Sequence, residues 1–422
     1  MTTPTILLLG TCDTKLPELL YAKSRLSPKT NVLIMDIGRN PATDPSIDVP
    51  HAIILSSTSD KDRIPTLDRS AYIEALIPYA TETVQALYRE NRIHAVLGIG
   101  GSCGTALATT LMRDALPVGF PKLMVSTMAS GDVGPYIGET DICMMYSVVD
   151  IAGRNRVLET VLENAAAAVA GMADVHQRRV SEKKEEGDEK VEGVRIGISM
   201  FGVTTPAVTR AREYLEEVVE GCEVYVFHAT GSGGRALERL VSEGVLDAVL
   251  DLTTTEICDE VVGGVLSAGG ERLCAASKRD VPRVVSVGAC DMVNFGTPES
   301  VPGEFLKGNE RLFHHHNPTV TLMRTTGEEC AEIGKVIARN VRGDGVKWTK
   351  VILPTGGVSM IDVPGQAFWD PEVDEVLFST LEEELRDSGI PIVRDDRQIN
   401  DPGFAVAAAE MLRHLIEESR AA

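Results

Sequence analysis

The sequence predicts an α/β protein of two Rossmann-like subdomains, each a mainly parallel sheet with helices on both faces. Three observations carry that expectation. Short apolar runs that stop at a glycine or a hydroxyl residue recur along the chain, as do strands of a sheet buried on both faces. Helical periodicities separate most of these runs, and strands alternating with helices give parallel sheets with right-handed crossovers. One strongly polar stretch, SEKKEEGDEKVEG from Ser181 to Gly193, sets six acids and three lysines around a single valine. It has too little apolar surface to bury a face. The expected organisation is therefore residues 1–178, a charged linker at 179–193, and residues 194–422. The alternative for the charged stretch is an extension of the preceding helix.

Both halves open alike. Thr5 to Leu9 (TILLL) stops at Gly10 before Thr11, Cys12, Asp13 and Thr14, and Val194 to Phe201 (VRIGISMF) stops at Gly202 before Thr204, Thr205 and Pro206. A hydroxyl or acid followed by proline starts helices, and after Thr205 the residues Val208, Ala211, Leu215, Val218 and Val219 recur at helical spacing. Further strands are expected at Asn31–Met35, His94–Ile99 and Lys122–Ser126 in the first half. In the second they are expected at Glu223–Phe227, Ala248–Leu252, Arg283–Val287, Val351–Leu353 and Pro391–Val393. Helices are expected at Tyr72–Arg89, Arg154–Ala170, Gly327–Arg339 and Phe404–Glu418. A weak internal repeat, Gly101-Ser102-Cys103-Gly104 against Gly231-Ser232-Gly233-Gly234, opens a helix after a strand in each half.

Composition narrows the function classes. With 62 Asp+Glu against 41 Lys+Arg the formal charge is −21, which disfavours nucleic-acid binding through phosphate neutralisation. No apolar run is long enough to span a membrane, and no basic segment with an apolar core resembles a signal peptide. Eight cysteines without a C-x-x-C pair fit reduced thiols and a cytoplasmic location.

In open α/β sheets ligands bind beyond the carboxyl ends of the strands, so those loops are the candidate sites. The strongest is HAVLGIGGSCGTA, where Gly98, Gly100, Gly101 and Gly104 flank Ser102 and Thr105. Glycine lets backbone N–H groups approach an anion, and a helix N-terminus adds a favourable dipole. Ser102 and Thr105 hydroxyls can complete a phosphate cradle. The loop is neither a Walker A motif nor a dinucleotide fingerprint, and the alternative is a turn required only for helix–strand packing. The second candidate places Thr11, Asp13 and Lys15 at a strand end, Lys15 for a phosphate and Asp13 for a metal or ribose hydroxyl, or else as a helix cap. The third is the loop Ser126–Tyr136 with Ser130, Gly131 and Asp132. Asp132 is its best Mg²⁺ ligand, and the alternative is a turn.

The second half offers its own cleft: Thr230, Gly231, Ser232, Gly233, Gly234 and Arg235 as an anion loop with an arginine clamp, Asp291 and Asn294, and Gly356 and Gly357. Thr253 and Glu256 fit a capping box. In the run His314–His316 only the alternate residues His314 and His316 can share an ion, and Glu310 is the one acid near in sequence. Cys12, Cys103 and Cys290 lie in candidate loops without an evident histidine partner, which favours small buried thiols over nucleophiles.

The ordered motifs GTCDTK, GIGGSCGTA, STMASGDVGPYIG, FGVTTP, HATGSGGRA, DLTTTE, GACDMVNFG, HHHNPTVTLMRT, LPTGGVS and INDPGFA together resemble the ATP-binding-domain family named for a plant inhibitor of tomato mosaic virus replication. The resemblance runs from Ile6 to about Ala409. It implies two Rossmann-like subdomains, ATP binding with Mg²⁺, and a homodimer. It does not extend to the C-terminal barrel of the plant members, and the family's antiviral role is not implied by the fold. The leading expectation is an ATP-binding protein whose phosphates lie on the Gly98–Thr105 loop beside Thr11, Asp13 and Lys15. The alternatives are a nucleotide-gated interaction module, or an enzyme for a small phosphorylated or carboxylated metabolite using Arg235, Asp291 and Asn294.

Overall fold

The strand β1 (Thr5–Gly10) is buried on both sides from Ile6 onward, because its alternating residues serve two different cores. The computed structural model describes residues 3–26, 30–186, 193–307, 311–343 and 346–422. The chain forms two compact units, Met1–Glu189 and Lys190–Ala422.

In unit 1, β1 leads into α1 (Cys12–Arg25), β2 (Asn31–Asp36), the short α2 (His51–Ile54) and α3 (Arg69–Arg89). Then follow β3 (Ala95–Gly100), α4 (Ser102–Ala115), β4 (Lys122–Ser126), the short α5 (Gly134–Ile137), β5 (Cys143–Tyr146) and α6 (Arg156–Glu186). The strands form one parallel sheet in the order β2-β1-β3-β4-β5. Leu7, Leu9, Val96 and Met124 face α3 and α4; Ile6, Leu8, Leu97 and Val125 face α1 and α6. The period of two along each strand thus covers both faces with helices. The charged stretch partly belongs to α6, which continues to Glu186. Its Glu and Lys residues are good helix formers, so residues 179–186 extend a helix and are not linker. Residues 187–192 lie outside the described residues.

Unit 2 repeats the topology with one more strand. It runs β6 (Arg195–Met200), α7 (Thr205–Val218), β7 (Glu223–His228), α8 (Ser232–Ser242), β8 (Ala248–Thr253), α9 (Thr255–Val262), the short α10 (Ala275–Lys278) and β9 (Arg283–Gly288). It continues with β10 (Met292–Phe295), β11 (Phe313–Asn317), β12 (Val320–Arg324), α11 (Gly327–Val341), β13 (Thr349–Pro354), α12 (Pro371–Leu385), β14 (Ile392–Asp395) and α13 (Pro402–Ala421). Six parallel strands lie in the order β14-β13-β9-β8-β6-β7. Counted from β6, this is the order of unit 1 extended by one strand. One face packs on α7 and α13 through Ile196, Leu250 and Ile352; the other packs on α11 and α12 through Val285, Val351 and Leu353.

An antiparallel three-stranded sheet, β10-β12-β11, is inserted between β9 and α11 of unit 2. The sequence does not predict it. β11 is the polar run FHHHN, and the β11–β12 turn is made by Asn317, whose Oδ1 accepts from the Thr319 N–H at 2.9 Å. Among the described residues no helix is long and apolar enough to cross a membrane.

Candidate functional site

In a sheet of order 2-1-3-4-5 the crossover direction reverses between the first and third strands, opening a crevice above their carboxyl ends. In unit 1 this lies between the ends of β1 and β3, where the two strongest candidate loops come together. A cleft of about 290 Å³ is lined there by Thr11, Asp13, Thr14 and Lys15 from the first loop and by Gly101, Ser102, Cys103 and Gly104 from the second. Ile37, Arg39, Tyr72, Ile73 and Leu107 complete it.

The two helices entering this cleft differ. The α1 N-terminus is already taken: the Cys12 N–H donates to Asp36 Oδ1 at 3.0 Å, and the buried Asp36 also accepts from the Gly38 N–H at 2.9 Å. The α4 N-terminus begins at Gly101 with no side-chain cap, and Gly101, Ser102, Cys103 and Gly104 line the cleft, so the end of the helix whose N–H groups have no intrahelical acceptor borders this space. Gly101 is open, since a Cβ there would meet only Thr127 Oγ1 at 3.8 Å. Lys15 and Arg39 supply positive charge on a chain whose formal charge is −21. Arg39 also donates to the Leu67 carbonyl at 2.6 Å.

Several expected ligands have other roles. Asp13 Oδ2 accepts from both the N–H and the Nδ2 of Asn40, at 3.1 and 3.2 Å, so it ties the Gly38–Asn40 loop to α1. Thr105 is fully buried and its hydroxyl lies 2.6 Å from Ser126 Oγ, joining α4 to β4 and not facing the cleft. Gly98 and Gly100 are packing positions: a Cβ would come within 2.4 Å of Met124 Sδ and 3.0 Å of the Gly104 backbone respectively. Ser130, Gly131 and Asp132 are exposed and outside the cleft lining. Asp132 makes a turn by accepting from the Gly134 N–H at 2.9 Å. Burial first, and then Asp36, push the Cys12 thiol far above its usual range, which removes it as a nucleophile.

These residues do not fit a resident Mg²⁺. Asp13 is the only carboxylate lining the cleft and is engaged by Asn40, and among the described residues no three His, Cys, Asp or Glu gather as a metal set. His314 packs edge-on against Phe368 with ring centroids 6.1 Å apart, His315 and His316 are exposed, and Glu310 lies outside the described residues.

Sequence reasoning missed what stands behind the cleft. The Tyr72 hydroxyl donates to the Gly38 carbonyl and lies 3.4 Å from His51 Nε2, which is 3.6 Å from Asp36 Oδ2. Burial and the Asp36 charge hold the Tyr72 phenol far above its ordinary value. The available signal was the strand end MDIGRN, in which an acid, a glycine and an arginine close the second strand.

The second expected cleft is filled by the protein itself. Glu256 Oε1 accepts from the Gly231 and Gly234 N–H groups at 2.7 and 3.0 Å, and its Oε2 is 2.9 Å from Arg272 Nε. A buried carboxylate therefore occupies the α8 N-terminus, and Glu256 is not a capping-box residue. The remaining glycines are close-packed: a Cβ on Gly233 would lie 1.9 Å from the His228 carbonyl, on Gly356 2.7 Å from that of Asp396, and on Gly357 2.0 Å from that of Asp362. Exposed Ser232 begins α8, the Thr230 hydroxyl donates to the His228 carbonyl at 3.2 Å, and Arg235 donates to the Ser267 carbonyl at 3.0 Å. Asn294 lies within β10 and donates to Asp259 Oδ1 at 3.1 Å from its Nδ2. Asp291 is fully buried beneath Ser359, whose hydroxyl reaches its Oδ2 at 2.8 Å.

Comparison with known proteins matches both units. Residues 4–178 match the N-terminal domain, and residues 193–416 the C-terminal domain, of an uncharacterised protein family, UPF0261. A UPF0261 protein of Clostridium tetani is 45% identical over 98% of this chain and 99% of its own length. The UPF0261 protein RA0729 of Rhizobium meliloti is 42% identical over 97% and 98%. The ToMV resistance protein Tm-1(GCR237) of Solanum lycopersicum is 38% identical over 99% of this chain, which spans 56% of the tomato protein. The chain belongs to the UPF0261 family and carries both of its domains.

Proposed function

We propose that the unit 1 cleft binds the phosphate end of a nucleotide, with ATP the ligand that the family resemblance suggests. The observation that carries this reading is the uncapped α4 N-terminus at Gly101–Gly104 opposite Lys15, inside a cleft at the crevice of the sheet. Backbone N–H groups, a helix dipole and a point charge converge there, as phosphate binding requires. The apolar wall of Ile37, Ile73 and Leu107 can take the less polar end of the ligand. The one carboxylate in this lining, Asp13, is engaged by Asn40, so the reading rests on direct contacts between the phosphates and the protein.

The second reading, a small phosphorylated metabolite, is favoured by the modest volume of about 290 Å³ and by the absence from the lining of an unengaged carboxylate for ribose hydroxyls. Resistance to ToMV belongs to the tomato relative's name and is not part of either reading.

The test is the thermal midpoint with ATP, with inorganic phosphate and with neither, each with and without Mg²⁺, in the wild type and Gly101→Asp. A native-state ligand at a hundredfold excess over its Kd adds about 2.7 kcal/mol. Aspartate at an N-cap satisfies the helix amides itself and stabilises by roughly a few tenths of a kcal/mol over glycine. The variant should therefore melt no lower than wild type yet lose the ATP shift, because its carboxylate takes the anion's place. A shift with phosphate but not ATP selects the metabolite reading, and no shift with either sinks both.

A further inference from the structure

The acid that ends β2 is engaged inside the protein. Asp36 is fully buried. Its Oδ1 accepts from the Cys12 and Gly38 N–H groups at 3.0 and 2.9 Å, and its Oδ2 accepts from the Ala42 N–H at 3.2 Å. His51 Nε2 stands 3.6 Å from the same Oδ2. In a doubly wound sheet an acid near the end of the second strand is the usual acceptor for ribose hydroxyls. Here both oxygens of that acid are taken, and Asp13, the carboxylate in the lining, holds Asn40. The unit 1 cleft therefore offers no unengaged carboxylate to a free ribose.

The turn beyond β2 presents a cation instead. Arg39 is exposed, lines the cleft, and donates from Nη2 to the Leu67 carbonyl at 2.6 Å. That bond uses one of the five guanidinium donors, and among the described residues no carboxylate pairs with Arg39. Arginines elsewhere, such as Arg195, Arg311 and Arg397, are each paired with an acid, as suits a chain of formal charge −21. Arg39 also stands apart from the helix amides. β2 and β3 flank β1 on opposite sides, so the Gly38–Asn40 turn and the α4 N-terminus are two strand spacings apart, about 10 Å. The bond to Leu67, and that from the Tyr72 hydroxyl to the Gly38 carbonyl, tie this turn to the chain entering α3. A single phosphate is too small to bridge the gap. A ribose phosphorylated at two positions matches it once the arginine reaches inward.

We propose that Arg39 is the specificity-determining residue of the unit 1 cleft and takes a second phosphate, so that the ligand is a nucleotide phosphorylated both at its 5′ position and on its ribose. Arg39 has this role only with the 5′ phosphate on the α4 amides, the reading on which its assignment rests. Recognition of ribose hydroxyls by a carboxylate is replaced by recognition of a ribose phosphate by a guanidinium fork. Lys15 remains with the 5′ phosphate as a point charge.

The test is calorimetric titration of wild type, Arg39→Gln and Gly101→Asp with three probes: adenosine 5′-monophosphate, adenosine 2′,5′-bisphosphate and adenosine 3′,5′-bisphosphate. Wild type should bind at least one bisphosphate roughly tenfold tighter than the monophosphate, the factor a charge-assisted hydrogen bond supplies. Arg39→Gln, a change at an exposed side chain, should fold as wild type does and bind all three probes alike. Gly101→Asp should weaken all three. No preference in wild type, or an equal preference in Arg39→Gln, overturns the role of Arg39. In that case monophosphate binding that Gly101→Asp abolishes leaves the α4 reading standing. Binding that survives in Gly101→Asp, or no binding of any probe to wild type, overturns the α4 reading and the assignment of Arg39 with it.

Discussion

The carboxylate of Glu256 lies 2.7 Å from the Gly231 amide nitrogen, so the glycine-rich entry to α8 is an anion site that the protein fills itself. The same carboxylate meets Arg272, which is 1% exposed and also bound to Asp251 and Glu238. Glu256 thus neutralises a buried guanidinium and caps a helix at once. Glu256→Ala leaves both the amides and part of the Arg272 charge unsatisfied, and should cost about 3–5 kcal/mol in urea unfolding. Glu256→Gln keeps an acceptor and should cost less. Neither should alter an ATP- or phosphate-induced shift that arises in unit 1.

Gly234 and Gly101 separate the two glycine loops experimentally. A Cβ on Gly234 would lie 2.0 Å from Glu256 Oε2, whereas one on Gly101 meets nothing closer than 3.8 Å. Glu256 is pinned by Arg272 and cannot yield freely, so Gly234→Ala should destabilise by about 1–3 kcal/mol. Gly101→Ala exchanges one weak N-cap for a poorer one and should cost no more than about 1 kcal/mol. Equal losses in denaturant titration would contradict this contrast.

The sheets were legible in the sequence because a strand buried on both faces is a continuous apolar run, as at Leu7–Leu9 and Val249–Leu252. What was not legible depends on partners distant in the chain. The loop Gly231–Gly234 reads like Gly101–Gly104, and only Glu256, more than twenty residues later, distinguishes a filled site from an open one. Asp36, His51 and Tyr72 form no motif, yet they set the wall of the cleft. A hydroxyl near a helix start can face a ligand or the core, and the sequence does not distinguish the two; that of Thr105 faces Ser126. The edge strand β5 and the polar hairpin β11–β12 lack the apolar run by which the central strands are recognised.

Val148 is 57% exposed at φ 64°. A β-branched residue pays a steric penalty in the left-handed region that glycine avoids, and this side chain has little packing to lose. Val148→Gly should therefore raise unit 1 stability by about 1 kcal/mol, the relief outweighing the entropy of a freer unfolded chain. A lowered midpoint would mean that the valine makes a contact worth more than its strain.

Tyr72 tests whether the cleft wall is positioned from behind. Its side chain is 1% exposed, and its hydroxyl donates to the Gly38 carbonyl while facing His51 Nε2 at 3.4 Å. Gly38 begins the turn carrying Arg39 and Asn40, and Asn40 holds Asp13. Tyr72→Phe keeps the ring in the core but leaves the Gly38 carbonyl and His51 short of a partner, a loss of about 1–3 kcal/mol. If the hydroxyl only stabilises the fold, the ligand-induced rise in the midpoint, taken at the same ATP excess, will match wild type from a lower baseline. If it also positions the wall, that rise will shrink as well, because Arg39 loses its fixed place. The second outcome is expected, since the Tyr72 hydroxyl reaches Arg39 through one intervening peptide.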